Sequence, residues 1–228
     1  MGKEPHAKSG LFKRDSKQFN PIAFLSQPGA GRSVTQSKRK AVIYAQGEPV
    51  RGVLYLLEGV VKLSVVSRAG KEGTISVLGT GEFFGECSLI DRKTRLATAT
   101  AVTDCKISLI ETEAMKRLLY QEHSFSEFFM KHLIARTKRI EENLIDQLFN
   151  SSERRLARVL LMLTRFSSKG GASWIHVPRM SQEVLAGLIG TTRSRVSFFM
   201  NKFRKKGYIR YNGGLQVNRG RLGAVLNE

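Results

Sequence analysis

Along the chain the spacing of apolar residues changes character twice. Between residues 19 and 110 they come in short runs broken by glycine. V-L-Y-L-L-E-G-V-V-K-L-S-V-V-S (53–67) holds two strand-length runs joined around Glu58-Gly59. R-A-G-K-E-G (68–73) reads as a turn, and T-I-S-V-L-G-T-G-E-F-F (74–84) supplies the next strand. Short strands at close spacing with glycine turns predict an antiparallel sandwich or jelly roll.

From 111 to 149 glycine and proline almost vanish and helix formers dominate. Met130, Leu133, Thr137, Ile140 and Leu144 are spaced 3, 4, 3, 4, which is the a/d seam of a coiled coil, with Arg136, Lys138, Arg139, Glu141 and Glu142 beside it. The pattern predicts a long helix that pairs with a second copy; the alternative is a helix packed on its own domain.

Past Asn150 the period stays helical over R-R-L-A-R-V-L-L-M-L-T-R-F (154–166), breaks at S-S-K-G-G-A-S (167–173), and resumes after a short strand at W-I-H-V-P (174–178). Two helices then lead to Y-I-R-Y-N-G-G-L-Q-V (208–217), a hairpin turning on Asn212-Gly213 or Gly213-Gly214. Within residues 182–201 the order of types fits a helix-turn-helix: Ala186 where the helices cross, Gly190 in the turn, and Leu185, Ile189, Val196 and Phe199 as the locking apolar set. Thr192 can cap the second helix. With Val196, Phe199 and Phe203 turned inward, Arg193, Ser194, Ser197, Phe198 and Asn201 point outward. An exposed basic first turn suits entry into the major groove. Arg193 can present its planar fork to guanine, while Arg195, Lys202, Arg204, Lys205 and Lys206 are placed for phosphates.

Charge sharpens this picture. The net +19 is uneven: residues 1–110 carry 17 Lys+Arg against 9 Asp+Glu, residues 111–150 carry 6 against 7, and residues 151–228 carry 15 against 3. Twelve of the nineteen units therefore sit in the last third, the footprint of a polyanionic partner. Residues 1–18 mix Lys, Ser, Gly and His without periodicity and read as a flexible basic tail. The domain plan is thus a tail (1–18), a sensor-like β domain (19–110), a helical linker with the dimer helix (111–150) and a DNA-binding domain (151–228). No apolar run approaches the roughly 20 residues of a membrane span. The N-terminus lacks the apolar core of a secretion signal, and the two cysteines, Cys87 and Cys105, have no CxxC spacing. A cytoplasmic, bacterial protein without a membrane partner is expected.

Together these elements resemble the cyclic-AMP receptor protein / fumarate-nitrate regulator (Crp/Fnr) superfamily of bacterial transcription regulators, from about residue 20 onward. Y-A-Q-G-E-P (44–49) followed by L-Y-L-L-E-G (54–59) looks like the strand-turn signature of its sensor domains. G-E-F-F-G-E-C-S-L-I-D-R-K-T-R-L-A-T-A-T-A (81–101) is similar to its phosphate-binding cassette. The resemblance implies an α+β chain: an N-terminal antiparallel β jelly roll of the cyclic-nucleotide-binding kind, a long dimerisation helix and a C-terminal winged helix-turn-helix. It implies cAMP or cGMP as effector, with Glu86 on the ribose, Arg95 on the phosphate, Gly85 for close approach and the backbone N–H groups of Leu96 and Ala97 beside it. Thr137 or Asn143 would meet the base. It also implies a homodimer on a two-fold symmetric DNA operator, with RNA polymerase as a further partner.

Departures limit what carries over. Leu96 stands where cyclic-AMP-binding members have Ser or Thr, which favours a second reading: a ligand-independent regulator whose pocket is empty or repurposed, with Glu86 and Arg95 paired to each other. Ser194 and Phe198 replace base-reading Glu and Arg side chains, so a different half-site is expected; Phe198 would meet a thymine methyl or pack under the wing. An iron–sulfur sensor needs about four cysteine ligands, so none is expected, nor any metal site. His123 and His132 read as surface histidines on helices, and Cys87 as a small buried side chain. An enzyme acting on a phosphodiester through Glu86 and Arg95 has no triad, metal cluster or Walker loop behind it, so no catalytic residue is assigned. A nucleoid-type architectural protein would explain the charge, but would bind DNA with little preference.

Overall fold

The computed structural model describes residues 20–70, 72–90, 93–166 and 173–226; the expected tail at 1–18 lies outside them. The chain opens with α1 (Pro21–Leu25), capped by the Asn20 side chain, which accepts from the Ile22 and Ala23 N–H groups. The strands β1 (Arg32–Ser37), β2 (Val42–Tyr44), β3 (Gly52–Glu58), β4 (Val60–Val66), β5 (Glu72–Gly79) and β6 (Phe83–Phe84) follow, then a single 3-10 turn at Glu86–Leu89, β7 (Thr98–Ala101) and β8 (Cys105–Glu111). They form two antiparallel four-stranded sheets, ordered β1-β8-β3-β6 and β2-β7-β4-β5. This is the jelly roll that the glycine-punctuated runs predict.

Alternation along the strands sorts side chains to the two faces of the first sheet. Phe84 points between the sheets with Leu54, Leu56, Val61, Leu78 and Ile107. Its neighbour Phe83 points the other way, into a cluster with Val53, Tyr55 and Ile110 that the helices cover. Those helices are α2 (Thr112–Gln121) and α3 (His123–Phe149). The uninterrupted helical pattern of the sequence hides a break at Glu122, whose backbone is extended. A single rod over these residues would run roughly 57 Å, whereas Met115, Leu118, Phe125 and Phe129 all gather on one patch of sheet.

The C-terminal domain consists of α4 (Ser152–Leu163), β9 (Trp174–His176), α5 (Gln182–Ile189), α6 (Arg193–Lys205), the hairpin β10 (Ile209–Tyr211) and β11 (Leu215–Asn218), and α7 (Arg219–Gly223). The three strands pair in the order β10-β11-β9, giving a winged helix-turn-helix. Its core, built on Leu156, Leu160, Val196 and Phe203, also takes in Val60 and Val77 of the jelly roll. The two domains are docked closely there: a Cβ on Gly79 would lie 2.3 Å from the Phe166 ring.

Candidate functional site: a cassette held by the long helix, and a DNA-reading helix

The segment after β6 makes a turn that only glycine adopts without strain. Gly85 has φ +73°, and a Cβ there would sit 2.3 Å from Nη1 of Arg95. Arg95 is 7% exposed. Its Nη1 donates to the Gly85 carbonyl at 3.0 Å, its guanidinium lies 4.4 Å from the centre of the Tyr44 ring, and its Nε is buried without an acceptor. Burial lowers the Arg95 pKa, and the neighbouring Tyr44, Cys87, Glu48 and Glu86 oppose that shift. Tyr44 is pushed up to about 12, chiefly by burial, with Arg95 opposing. Ala97 is buried, whereas Leu96 is 46% exposed at the surface of the cassette.

Glu86 pairs with Arg136 rather than with Arg95, so the internal Glu86–Arg95 pair of the ligand-independent reading is replaced by a link to α3. Nη1 of Arg136 donates to Glu86 Oε1 at 2.6 Å, and Glu86 Oε2 is buried without a donor. Ser88 Oγ, two residues on, is likewise buried and unsatisfied. His132, Arg136 and Arg139 lie at i, i+4 and i+7 on one face of α3 and hold the strand that enters the cassette. Nε2 of His132 accepts from the Phe83 N–H at 3.2 Å, Arg136 also donates to the Phe83 carbonyl at 3.4 Å, and Arg139 pairs with Glu82. His132 is therefore half-buried against the Phe83 ring and not a surface histidine; burial lowers its pKa. Contacts between residues some fifty positions apart leave no periodic trace, so sequence reasoning missed both His132 and Arg136.

The other two residues expected near a base lie elsewhere. Thr137 is exposed on the outer face of α3. Asn143 lines a cavity with β5, α4 and α5, none of whose lining residues belongs to the cassette. On that outer face Met130, Ile134, Leu144 and Leu148 are all more than half exposed. The apolar seam thus runs 130, 134, 137, 141, 144, 148, interrupted by Glu141. Ile140, 58% exposed, lies at its margin. Leu133, expected in the seam, packs instead against the cluster around Phe83.

In the C-terminal domain, Gly190 ends α5 in the left-handed region (φ 61°, ψ 48°), and Thr192 caps α6 by accepting from the Arg195 N–H at 3.4 Å. Val196, Phe199 and Phe203 are buried beneath α6. Arg193, Ser194, Arg195 and Asn201 are exposed and Ser197 half-buried. Ser194 shares a hydrogen bond with the Thr192 hydroxyl at 3.1 Å. Arg193 Nε reaches Glu183 Oε1 of α5 at 2.9 Å. Phe198 is 65% exposed, edge-on to Phe199, so it does not pack under the wing. Lys202, expected on phosphate, donates to Glu153 of α4 at 2.7 Å. Arg204, Lys205 and Lys206 remain exposed at the far end of the helix.

A two-sheet jelly roll with an arginine-bearing cassette, joined by a long helix to a winged helix-turn-helix, defines a transcription regulator with a cyclic nucleotide-binding domain. Residues 34–122 match the cyclic nucleotide-binding domain family and residues 154–224 the Crp-like helix-turn-helix domain. The chain belongs to the Crp/Fnr family of transcription regulators. It is 31% identical over 183 residues to the cyclic AMP receptor protein of Thermus thermophilus, covering 75% of this chain and 80% of the relative. It is 28% identical over 214 residues to the CRP-like cAMP-activated global transcriptional regulator of Mycobacterium tuberculosis, covering 93% and 88%. Among solved structures, FixK2 from Bradyrhizobium japonicum shares the fold, with a TM-score of 0.72 at 19% identity over 85% of this chain and 96% of that one. No described helix is long and apolar enough to cross a membrane.

Proposed function

We propose that the protein is a homodimeric, sequence-specific DNA-binding regulator whose cassette binds a cyclic nucleotide, cAMP or cGMP, and sets DNA affinity through α3. The observation that carries this reading is the set of buried polar atoms left without partners in one segment: Arg95 Nε, Glu86 Oε2 and Ser88 Oγ. Buried orphans of this kind are costly and call for an absent partner. A ribose hydroxyl can donate to Glu86, and a cyclic phosphate can accept from Arg95 and from the Leu96 and Ala97 backbone, with Gly85 leaving room for its approach. The stripe of His132, Arg136 and Arg139 supplies the physical link from cassette to helix. Thr137 lies on the exposed seam, where it would face the second protomer, and two paired α3 helices would present two α6 helices to a symmetric operator about 34 Å, or one DNA turn, apart. RNA polymerase is the further partner of such a regulator, and the cytoplasm its place of action.

The Glu86–Arg136 pair and the apolar Leu96 favour a second reading, a regulator whose cassette needs no ligand. Isothermal titration of cAMP and of cGMP into the purified protein separates the two. Saturating heat that disappears in Arg95→Ala supports the cassette; no heat from either nucleotide removes it.

A further inference from the structure

A cavity of about 260 Å³ lies where β5, α3, α4 and α5 meet, at the hinge between the two domains. It opens beside Arg139 and Asn143, on the face of α3 opposite the apolar seam. Its volume is near the lower end of the roughly 300–1,000 Å³ of small-molecule pockets, and it has their mixed apolar and polar wall.

Three guanidinium groups line it. Arg139 is matched by Glu82 and Arg158 by Asp146, a carboxylate only 5% exposed that also accepts from Asn150 Nδ2 at 2.7 Å. Arg155 is different. Its Nη1 closes the end of α3 by donating to the Gln147 and Asn150 carbonyls at 2.9 and 3.2 Å. Its Nε is buried with no acceptor, and no carboxylate among the described residues pairs with it. A water molecule could accept from Nε but would leave the charge unmatched in a partly desolvated wall. The apolar part of the wall is Val159 and Met162, one and two turns further along the same face of α4, together with Leu188 of α5.

We propose that this hinge cavity binds a small organic anion, its carboxylate or phosphate on Arg155 and its apolar body against Val159, Met162 and Leu188. The wall is shared between the jelly roll (Thr74, Val77) and the DNA-binding domain (α4, α5). Such a ligand therefore binds only when the domains are docked and shifts the population toward that arrangement. The site is independent of the cassette, whose residues it does not include.

Calorimetric titration of the full-length protein with phenyl phosphate and octanoate, beside phenol, octanol and inorganic phosphate, tests this. At least one of the two anions should bind about tenfold or more tightly than its neutral counterpart and than inorganic phosphate. Arg155→Gln, which keeps a donor but removes the charge, and Met162→Trp, which fills the cavity, should each weaken that binding about tenfold or more. If Arg155→Gln fails to fold, Met162→Trp alone decides. Neutral compounds or bare phosphate binding equally well would overturn the proposal. So would binding indifferent to both variants, or no heat from either anion.

Discussion

Arg136 of the long helix donates to Glu86 at 2.6 Å while both side chains are mostly buried, so the cassette is fastened to the helix by a desolvated charge pair. Removing one partner strands the other. Arg136→Ala should lower folding stability by about 2 kcal/mol, and Glu86→Gln by a similar amount. The double variant should cost less than their sum, as urea melts combined in a double-mutant cycle will show. Equal additivity would mean that the pair contributes nothing.

Gly85 marks the next constraint. An added Cβ would lie 2.3 Å from Arg95 Nη1, at a backbone angle that L-residues resist. Gly85→Ala should cost about 1–2 kcal/mol from the backbone alone and displace Arg95. If the cassette binds a nucleotide, calorimetric heat should be lost with it.

His132 gives the fold a pH dependence whose sign is fixed by burial. Its folded pKa is lowered by desolvation; Glu82 and Glu86 oppose the shift, while Arg136 and Arg139 add to it. The unfolded chain therefore takes up a proton near pH 6.5, which the folded chain accepts only at lower pH. The stability is fully present above that value and declines as pH falls through it. Protonation would also end the acceptance from the Phe83 N–H. Thermal melts between pH 7.5 and 5.5 should fall for the wild type and stay flatter for His132→Gln. Glu72 and Asp104, whose pKa values are lowered chiefly by hydrogen bonds, contribute only at more acid pH.

Domain docking rests on Gly79 as well as on shared apolar burial. Gly79→Ala forces its methyl into the Phe166 ring and should weaken the interface by about 1–3 kcal/mol. Scanning calorimetry should then resolve two transitions closer to those of separate domains. A single unchanged transition would show that the ring yields freely.

On DNA, Arg193 and Lys205 should behave differently. Arg193→Ala should weaken binding to the preferred site roughly tenfold or more and relax preference at one base pair. Lys205→Ala should weaken all sequences alike and lower the salt slope by about one unit. Glu183 holds Arg193 in the free protein and would compete with a base contact by it; Glu183→Ala should then tighten specific binding, measured by anisotropy.

What the sequence disclosed and what it concealed divide along physical lines. The jelly roll, the Thr192 cap, the Gly190 turn and the buried face of α6 follow from local spacing, because each is set within about one helical turn or one strand. The seam of α3 was ambiguous for the same reason. Met130, Thr137 and Leu144 belong to two overlapping 3-4 patterns, and only the pull of the Phe83 cluster on Leu133 selects the one through Ile134 and Leu148. The partners of Glu86, Lys202 and Arg193 come from other elements, and no local pattern announces them.

The cluster that joins Val60 and Val77 to Leu160, Val196 and Phe203 bears on how such regulators can be recombined. A chimera cut at Ser151, which caps the helix after the long one, would leave two jelly-roll valines and Gly79 facing a foreign surface. The exchangeable module is larger than the last 78 residues of the 228: a new reading head has to arrive with matching β4 and β5 side chains. Grafts that carry those positions along should stay soluble where cuts in the connecting segment alone do not.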